Sequence, residues 1–130
     1  MQASEVGKPW EQLSILIASE DAEQILILLK SINPAETALA VSRLSAEEQG
    51  RLLTLLDPED AAEVIEDISD TQASEIIEDL TPAHAAAILA ELDSDHVVDL
   101  LGELDSGDAN AIIEQMAPAE AEEARQFLQY

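Results

Sequence analysis

Apolar residues recur along most of the chain with a period of 12 residues. Eight units of this length begin with an apolar residue, at Ile32, Leu44, Leu56, Ile68, Leu80, Leu92, Leu104 and Met116. Within a unit the sixth position is mostly alanine and the ninth and tenth are usually an aliphatic pair, as in Ala61, Val64 and Ile65. Together with the first residue of the next unit these positions are spaced i, i+3, i+4 and i+7, which predicts one short amphipathic helix per unit.

Polar residues at the second position of each unit predict where the helices begin. That position holds Asn33, Ser45, Asp57, Ser69, Thr81, Asp93 and Asp105, with Ala117 as the exception. Side chains of these types accept hydrogen bonds from the free N–H groups of a first helical turn. Proline often follows, where its missing N–H costs nothing, at Pro34, Pro58, Pro82 and Pro118. Upstream, residues 10–18 and 20–31 are predicted as two more helices, with Ser19 capping the second and Asn33-Pro34 closing it.

The pattern predicts an all-α protein, because no alternating strand pattern occurs. A helix of roughly nine residues is too short to be stable alone, so each must bury its stripe against neighbours. Proline at Pro34, Pro58 and Pro82 recurs every second unit and favours helix pairs of 24 residues. Stacked pairs predict a right-handed, armadillo-like superhelix or a compact bundle. We expect one domain over residues 1–130, with two leading helices in 1–31 and eight short helical units in 32–127.

Composition narrows the functional classes. The chain has no Cys, which excludes disulfides and thiolate metal sites, and only one Trp, one Tyr and one Phe, so aliphatic side chains and alanine must form the core. Apolar runs such as residues 25–29 are far shorter than a membrane span, and the N-terminus lacks a signal-peptide pattern. We therefore expect a soluble cytoplasmic segment that does not itself span the membrane.

The charge is large and unevenly distributed. The formal net charge is −24, and the interval between Arg51 and Arg125 contains 21 Asp and Glu residues without a Lys or Arg. Such a chain repels nucleic acid phosphates and anionic lipid headgroups, so we expect no nucleic-acid partner. The expected partners are cations and basic protein surfaces, although acidic faces also serve solubility alone.

Catalytic motifs are missing from the sequence. His84 and His96 occupy equivalent places in adjacent units without a nucleophile or ligand set at motif spacing, and we interpret them as ordinary surface histidines. Residues 93–95 and 105–108 lack the glycine and glutamate spacing of an EF-hand. We expect no enzyme. The remaining candidate function is the binding of a hard cation such as Mg²⁺. Asp95 and Asp99 share a helix face, and Mg²⁺ needs only one or two protein carboxylates because it keeps several of its waters.

At this point the sequence resembles the N-terminal cytosolic domain of MgtE-type magnesium transporters. The resemblance lies in residues 53–65, which read LTLLDPEDAAEVI, in the repeats that follow, and in residues 32–36, which read INPAE. In that family the domain precedes a pair of CBS domains and a membrane pore domain. The family segment before the first CBS domain commonly reads like residues 127–130, FLQY, so we expect an excised domain rather than a free-standing homologue.

The resemblance implies a mechanism. In the family, magnesium neutralises acidic surfaces between the N domain and the CBS domains, the sensor becomes compact and the pore is held closed. Matching the repeats in register places the family's N-domain metal ligands on Glu63, Asp95 and Asp99, while Asp67, Asp93 and other acids offer competing positions. The implied ligand is weakly bound Mg²⁺ shared with the CBS domains. The implied partners are divalent cations and the CBS and pore domains of the same polypeptide, in a homodimeric full-length protein.

Two alternatives remain open from the sequence. The helical repeat also resembles the middle domain of a flagellar motor switch protein, which would make the chain a protein-interaction module. That function predicts a groove for a partner helix and does not require this concentration of acids. The other alternative is a stand-alone scaffold whose acidity serves only solubility.

Overall fold

A computed structural model describes residues 8–128, which form ten α-helices and no strand. This confirms the all-α prediction. The chain divides into two compact units, Met1–Ile68 and Ser69–Tyr130. The first contains α1 Pro9–Ala18, α2 Ala22–Ser31, α3 Pro34–Ser42, α4 Ala46–Leu55 and α5 Pro58–Asp67. The second contains α6 Asp70–Glu78, α7 Pro82–Leu89, α8 Ser94–Glu103, α9 Ser106–Ile113 and α10 Pro118–Leu128.

Most of the helices begin as their local sequence dictates. Side chains at five of the polar second positions accept a hydrogen bond from the backbone N–H three residues later, namely Asn33, Ser45, Ser69, Thr81 and Asp105. Asp57 and Asp93 also stand at the position before a helix but make no such bond. The negative charge of these two aspartates still favours the helix start, because it faces the positive end of the helix dipole.

The predicted start of α2 was wrong by two residues. Ser19 closes α1 instead of capping α2, and its hydroxyl donates a hydrogen bond to the carbonyl of Leu16. Glu20 has a backbone φ of 58°, a left-handed conformation that interrupts the helical path. Asp21 is the actual cap of α2, since its carboxylate accepts a hydrogen bond from the N–H of Gln24 at 3.2 Å.

The core of each unit consists of the aliphatic positions of the repeat. Every residue of the six aliphatic pairs from Leu52-Leu53 to Ile112-Ile113 is at most 3% exposed. The alanines at the sixth position are also buried, at Ala61, Ala73, Ala85, Ala109 and Ala121. A fully buried leucine or isoleucine contributes roughly 1.5–3 kcal/mol, so two such residues per helix compensate for the weak intrinsic stability of eight to eleven residues.

Helix packing within each unit joins both consecutive and alternate helices. In the first unit α1 packs on α2, α3 and α4, and α5 packs on α3 and α4. In the second, α8 packs on α6 and α10, α7 packs on α9, and α9 packs on α10. The right-handed, armadillo-like winding stays a prediction. Within residues 8–128 no helix is long and apolar enough to cross a membrane. Residues 129 and 130, which end the segment that reads FLQY, lie outside the described range.

Candidate functional site

Two of the predicted metal ligands lie on one face of α8. Asp95 stands in the first turn and Asp99 one turn later, and both side chains are exposed. They line an open depression of about 430 Å³, which we call the α8 depression, together with Asp93, Ser94 and His96. Within residues 8–128, neither Asp95 nor Asp99 has a hydrogen-bond or ion-pair partner for its side chain. The structure thus brings two uncommitted carboxylates together on one surface.

His96 fixes this surface to the neighbouring helix. Its Nε2 lies 3.1 Å from Oδ1 of Asp70 at the start of α6, and its side chain is only 24% exposed. When Nε2 carries a proton it donates to the carboxylate, and a protonated imidazole would make the contact an ion pair. His96 is therefore a part-buried contact between α6 and α8, in contrast to the surface histidine inferred from the sequence. Its partner lies 26 residues away and leaves no local signal.

Glu63, the third predicted ligand, belongs to the other unit. It is exposed on α5 and lines a groove of about 90 Å³ that we call the α5 groove. Residues of α2, α3 and α5 line this groove, namely Leu26, Leu29, Lys30, Thr37, Asp60, Glu63, Val64 and Asp67. Burial raises the pKa of Asp67, and the negative charge of Glu63 one turn earlier raises it further. The α5 groove therefore holds carboxylates that lack sufficient counter-charge.

Like charges also crowd elsewhere in the second unit. The charge of Asp105 raises the pKa of Asp108, which lies three residues later in the first turn of α9. Residues 69–130 contain 15 of the 29 acids of the chain and, in Arg125, one of its five basic residues. Nearby negative charges disfavour further ionisation and favour cations from solution.

The donors present fit a hydrated hard cation. Among residues 8–128, no three His, Asp or Glu side chains are grouped so as to hold a metal ion by themselves. An exposed pair such as Asp95 and Asp99 can nevertheless contribute one or two oxygens to an Mg²⁺ ion that keeps its remaining waters or takes further ligands from a partner. The assignment of Glu63, Asp95 and Asp99 as metal ligands stays a prediction.

Sequence reasoning did not single out two residues of the α5 groove, Thr37 and Asp60. Asp60, Glu63 and Asp67 have the spacing i, i+3 and i+7, so the helical period could have placed all three on one face. Thr37 carries no such signal. It comes to the groove through the packing of α3 on α5.

These observations define a class: an acidic helical-repeat domain with open carboxylate surfaces. The sequence model of the MgtE intracellular N domain matches residues 32–130, and the chain belongs to this family. The fold is similar to a solved structure described as the soluble part of a magnesium transporter, with a TM-score of 0.77 and 22% sequence identity. That alignment covers 94% of this chain and 48% of the other, so the chain spans about half the length of that protein. No curated protein matches the chain.

Proposed function

We propose that the chain is the intracellular regulatory domain of a magnesium transporter and that it senses cytosolic Mg²⁺. The observation that carries the proposal is the pair of exposed, unpartnered carboxylates of Asp95 and Asp99 in a member of the MgtE intracellular N domain family. The likeness of fold to the soluble part of a magnesium transporter supports it. The family match also favours this function over the two alternatives, a protein-interaction module of a flagellar motor and a stand-alone scaffold. The proposed role is binding and regulation, with no catalysis.

The proposed mechanism is electrostatic. At low magnesium, the net charge of −24 opposes close packing of this domain on the CBS domains that we expect in the same polypeptide. At high magnesium, ions held by Glu63 in one unit and by Asp95 and Asp99 in the other, each together with ligands on the CBS side, neutralise the facing surfaces. The compact arrangement then predominates and the pore is held closed. Because a ligand shifts a two-state equilibrium only through its differential affinity, the ions must bind the compact state more tightly.

The test uses the intact transporter with Asp95→Ala and Asp99→Ala combined. Removing these carboxylates should flatten the dependence of pore opening on cytosolic magnesium and raise the concentration for half closure about fivefold or more, the lower range of allosteric coupling. The measurement is channel opening in membrane patches while magnesium is titrated on the cytosolic side.

A matched control separates ligand loss from charge loss. Glu114→Ala and Glu122→Ala combined remove the same charge from exposed positions outside the α8 depression. We expect this control to follow the wild-type curve. If the Asp95/Asp99 variant also follows that curve, the two residues are solvated surface acids and the proposed site is wrong.

A further inference from the structure

The size and lining of the α5 groove suit one long side chain. Its volume of about 90 Å³ is small, and its apolar wall consists of Leu26, Leu29 and Val64. Its polar lining comes mainly from α5, where Asp60 and Asp67 stand two turns apart. An apolar wall beside carboxylates suits a ligand with a hydrocarbon stem and a cationic end, as in arginine and lysine.

Thr37 adds an independent sign that the groove has a ligand. The residue is only 3% exposed, yet within residues 8–128 its hydroxyl makes no hydrogen bond. In that part of the chain every side-chain polar atom that is fully shielded from solvent has a partner. The small exposed part of Thr37 therefore includes its hydroxyl, and Thr37 is one of the residues that line the α5 groove. This hydroxyl has no partner within residues 8–128, so its hydrogen-bonding capacity is open to water or to a group bound in the groove.

The two outer carboxylates of the groove, Asp60 and Asp67, suit an extended cation better than a single metal ion held between them. Asp60 and Asp67 are separated by seven residues, about 10 Å along the helix axis, which is too far for both to ligate one ion. No metal-holding group of three His, Asp or Glu side chains occurs in the described part of the chain. A guanidinium group carries five N–H donors in a planar fork and can reach a carboxylate and a hydroxyl at once.

The basic side chains of the first unit do not fill this role. Lys8 and Arg43 lie over the ring of Trp10, at 5.8 and 5.1 Å from its centroid, and Arg51 binds Glu20 at 2.9 Å. Lys30 lines the groove, but it makes no ion pair within residues 8–128. One unpaired lysine faces three carboxylates, so the groove keeps a net negative charge and complements an incoming cation.

We propose that the α5 groove receives an arginine side chain of a partner polypeptide. The stem of the arginine lies along Leu26, Leu29 and Val64, and its guanidinium donates to Asp67 and to the hydroxyl of Thr37, with Asp60 at the other end of the groove. This inference does not rest on the proposed magnesium function, because it needs only the groove and its charge.

The test is a titration of the 130-residue chain, labelled with nitrogen-15, with the peptide acetyl-Gly-Arg-Gly-amide. The buffer contains EDTA and about 0.15 M NaCl, so that long-range attraction to the acidic chain is screened beyond a Debye length of about 8 Å. We expect saturable chemical-shift changes at the amides of Thr37 and of residues 60–67. The same peptide with citrulline, which has the shape of arginine without its charge, should produce none.

Two substitutions locate the binding group. Asp67→Asn should weaken arginine-peptide binding about fivefold or more, since it removes a charge-assisted hydrogen bond. Glu59→Gln is the matched control: it removes one charge from the same helix at an exposed position outside the groove and should leave the affinity within twofold of wild type. Thr37→Val should lower the affinity while raising the melting temperature, because the buried hydroxyl has no internal partner to lose.

Four outcomes would overturn the proposal. In the first, Glu59→Gln weakens binding of the arginine peptide as much as Asp67→Asn does. In the second, the citrulline peptide binds as tightly as the arginine peptide. In the third, Thr37→Val lowers the melting temperature. The fourth is a set of shifts at residues 60–67 that respond to MgCl₂ or to the concentration of the chain itself and not to the arginine peptide. The magnesium response would identify a metal site, and the concentration response would identify a second copy as the occupant.

Discussion

Glu48 links two helices of the first unit through a single carboxylate. It accepts a hydrogen bond from the hydroxyl of Ser14 on α1 and another, at 2.9 Å, from the N–H of Ser45 at the start of its own helix. The hydrogen bond from Ser14, and to a lesser extent that from Ser45, holds the pKa of Glu48 below its ordinary value of 4.5. A carboxylate with a lowered folded-state pKa stabilises the fold above its unfolded pKa and loses this contribution as the pH falls through the folded value.

We predict that Glu48→Gln lowers the free energy of unfolding by about 1 kcal/mol at neutral pH, because the neutral amide replaces charge-assisted bonds with weaker ones. The difference from wild type should shrink below pH 4.5, the ordinary pKa, as the wild-type carboxylate becomes protonated. Urea unfolding of both proteins across this range is the measurement. Glu47→Gln, an exposed neighbour in the same turn, should show no such pH-dependent difference.

At the scale of one helix, the cap residues differ in what they contribute. Ser69 accepts a hydrogen bond from the N–H of Gln72 at 3.1 Å, whereas Asp93 at the start of α8 accepts none. We predict that Ser69→Ala lowers the free energy of unfolding by about 1 kcal/mol and that Asp93→Ala lowers it by less, since only its interaction with the helix dipole is lost. Chemical denaturation of the two variants is the comparison, and equal losses would contradict this account of the caps.

Helices of this kind are predictable because their determinants are local. The caps Asn33 and Thr81 and the pair Ile76-Ile77 act within one unit, so the sequence predicted the all-α class and the core positions. The start of α2 was missed because Ser19, Glu20 and Asp21 are all plausible near a helix start. Only the left-handed backbone of Glu20 decides among them.

The candidate sites were less predictable because their determinants are not local. Carboxylates spaced like Asp95 and Asp99 are common by chance in a chain with 29 acids, so spacing alone does not select a ligand. The contact between His96 and Asp70, and the arrival of Thr37 in the α5 groove, depend on which helices pack together. Neither the periodicity nor the charge of the sequence specifies those packings.

At the scale of the whole molecule, mutual repulsion among 29 acids opposes folding. We predict that NaCl raises the melting temperature by screening this repulsion. MgCl₂ should raise the melting temperature at a lower concentration than NaCl. At equal ionic strength, the melting temperature should be higher in MgCl₂ than in NaCl. Affinity should nevertheless be weak, since the exposed carboxylates leave most magnesium ligands to water. Thermal unfolding followed by circular dichroism measures both effects. A melting temperature indifferent to both salts would contradict the electrostatic account.

The packing of alternate helices in the second unit restricts how such a domain can change its length. Because α8 contacts α6 and α10 while α7 contacts α9, the helices of this unit are placed mainly by neighbours two positions away, with the contact between α9 and α10 as the exception among the main pairs. The helices therefore form two sets, one of α6, α8 and α10 and the other of α7 and α9. Loss or duplication of a single 12-residue segment would move every later helix into the other set, so that its apolar stripe would face the wrong neighbours. Loss or duplication of two consecutive segments keeps each helix in its own set. Gene duplication can therefore lengthen this architecture in even steps, whereas odd steps require the core to be rebuilt.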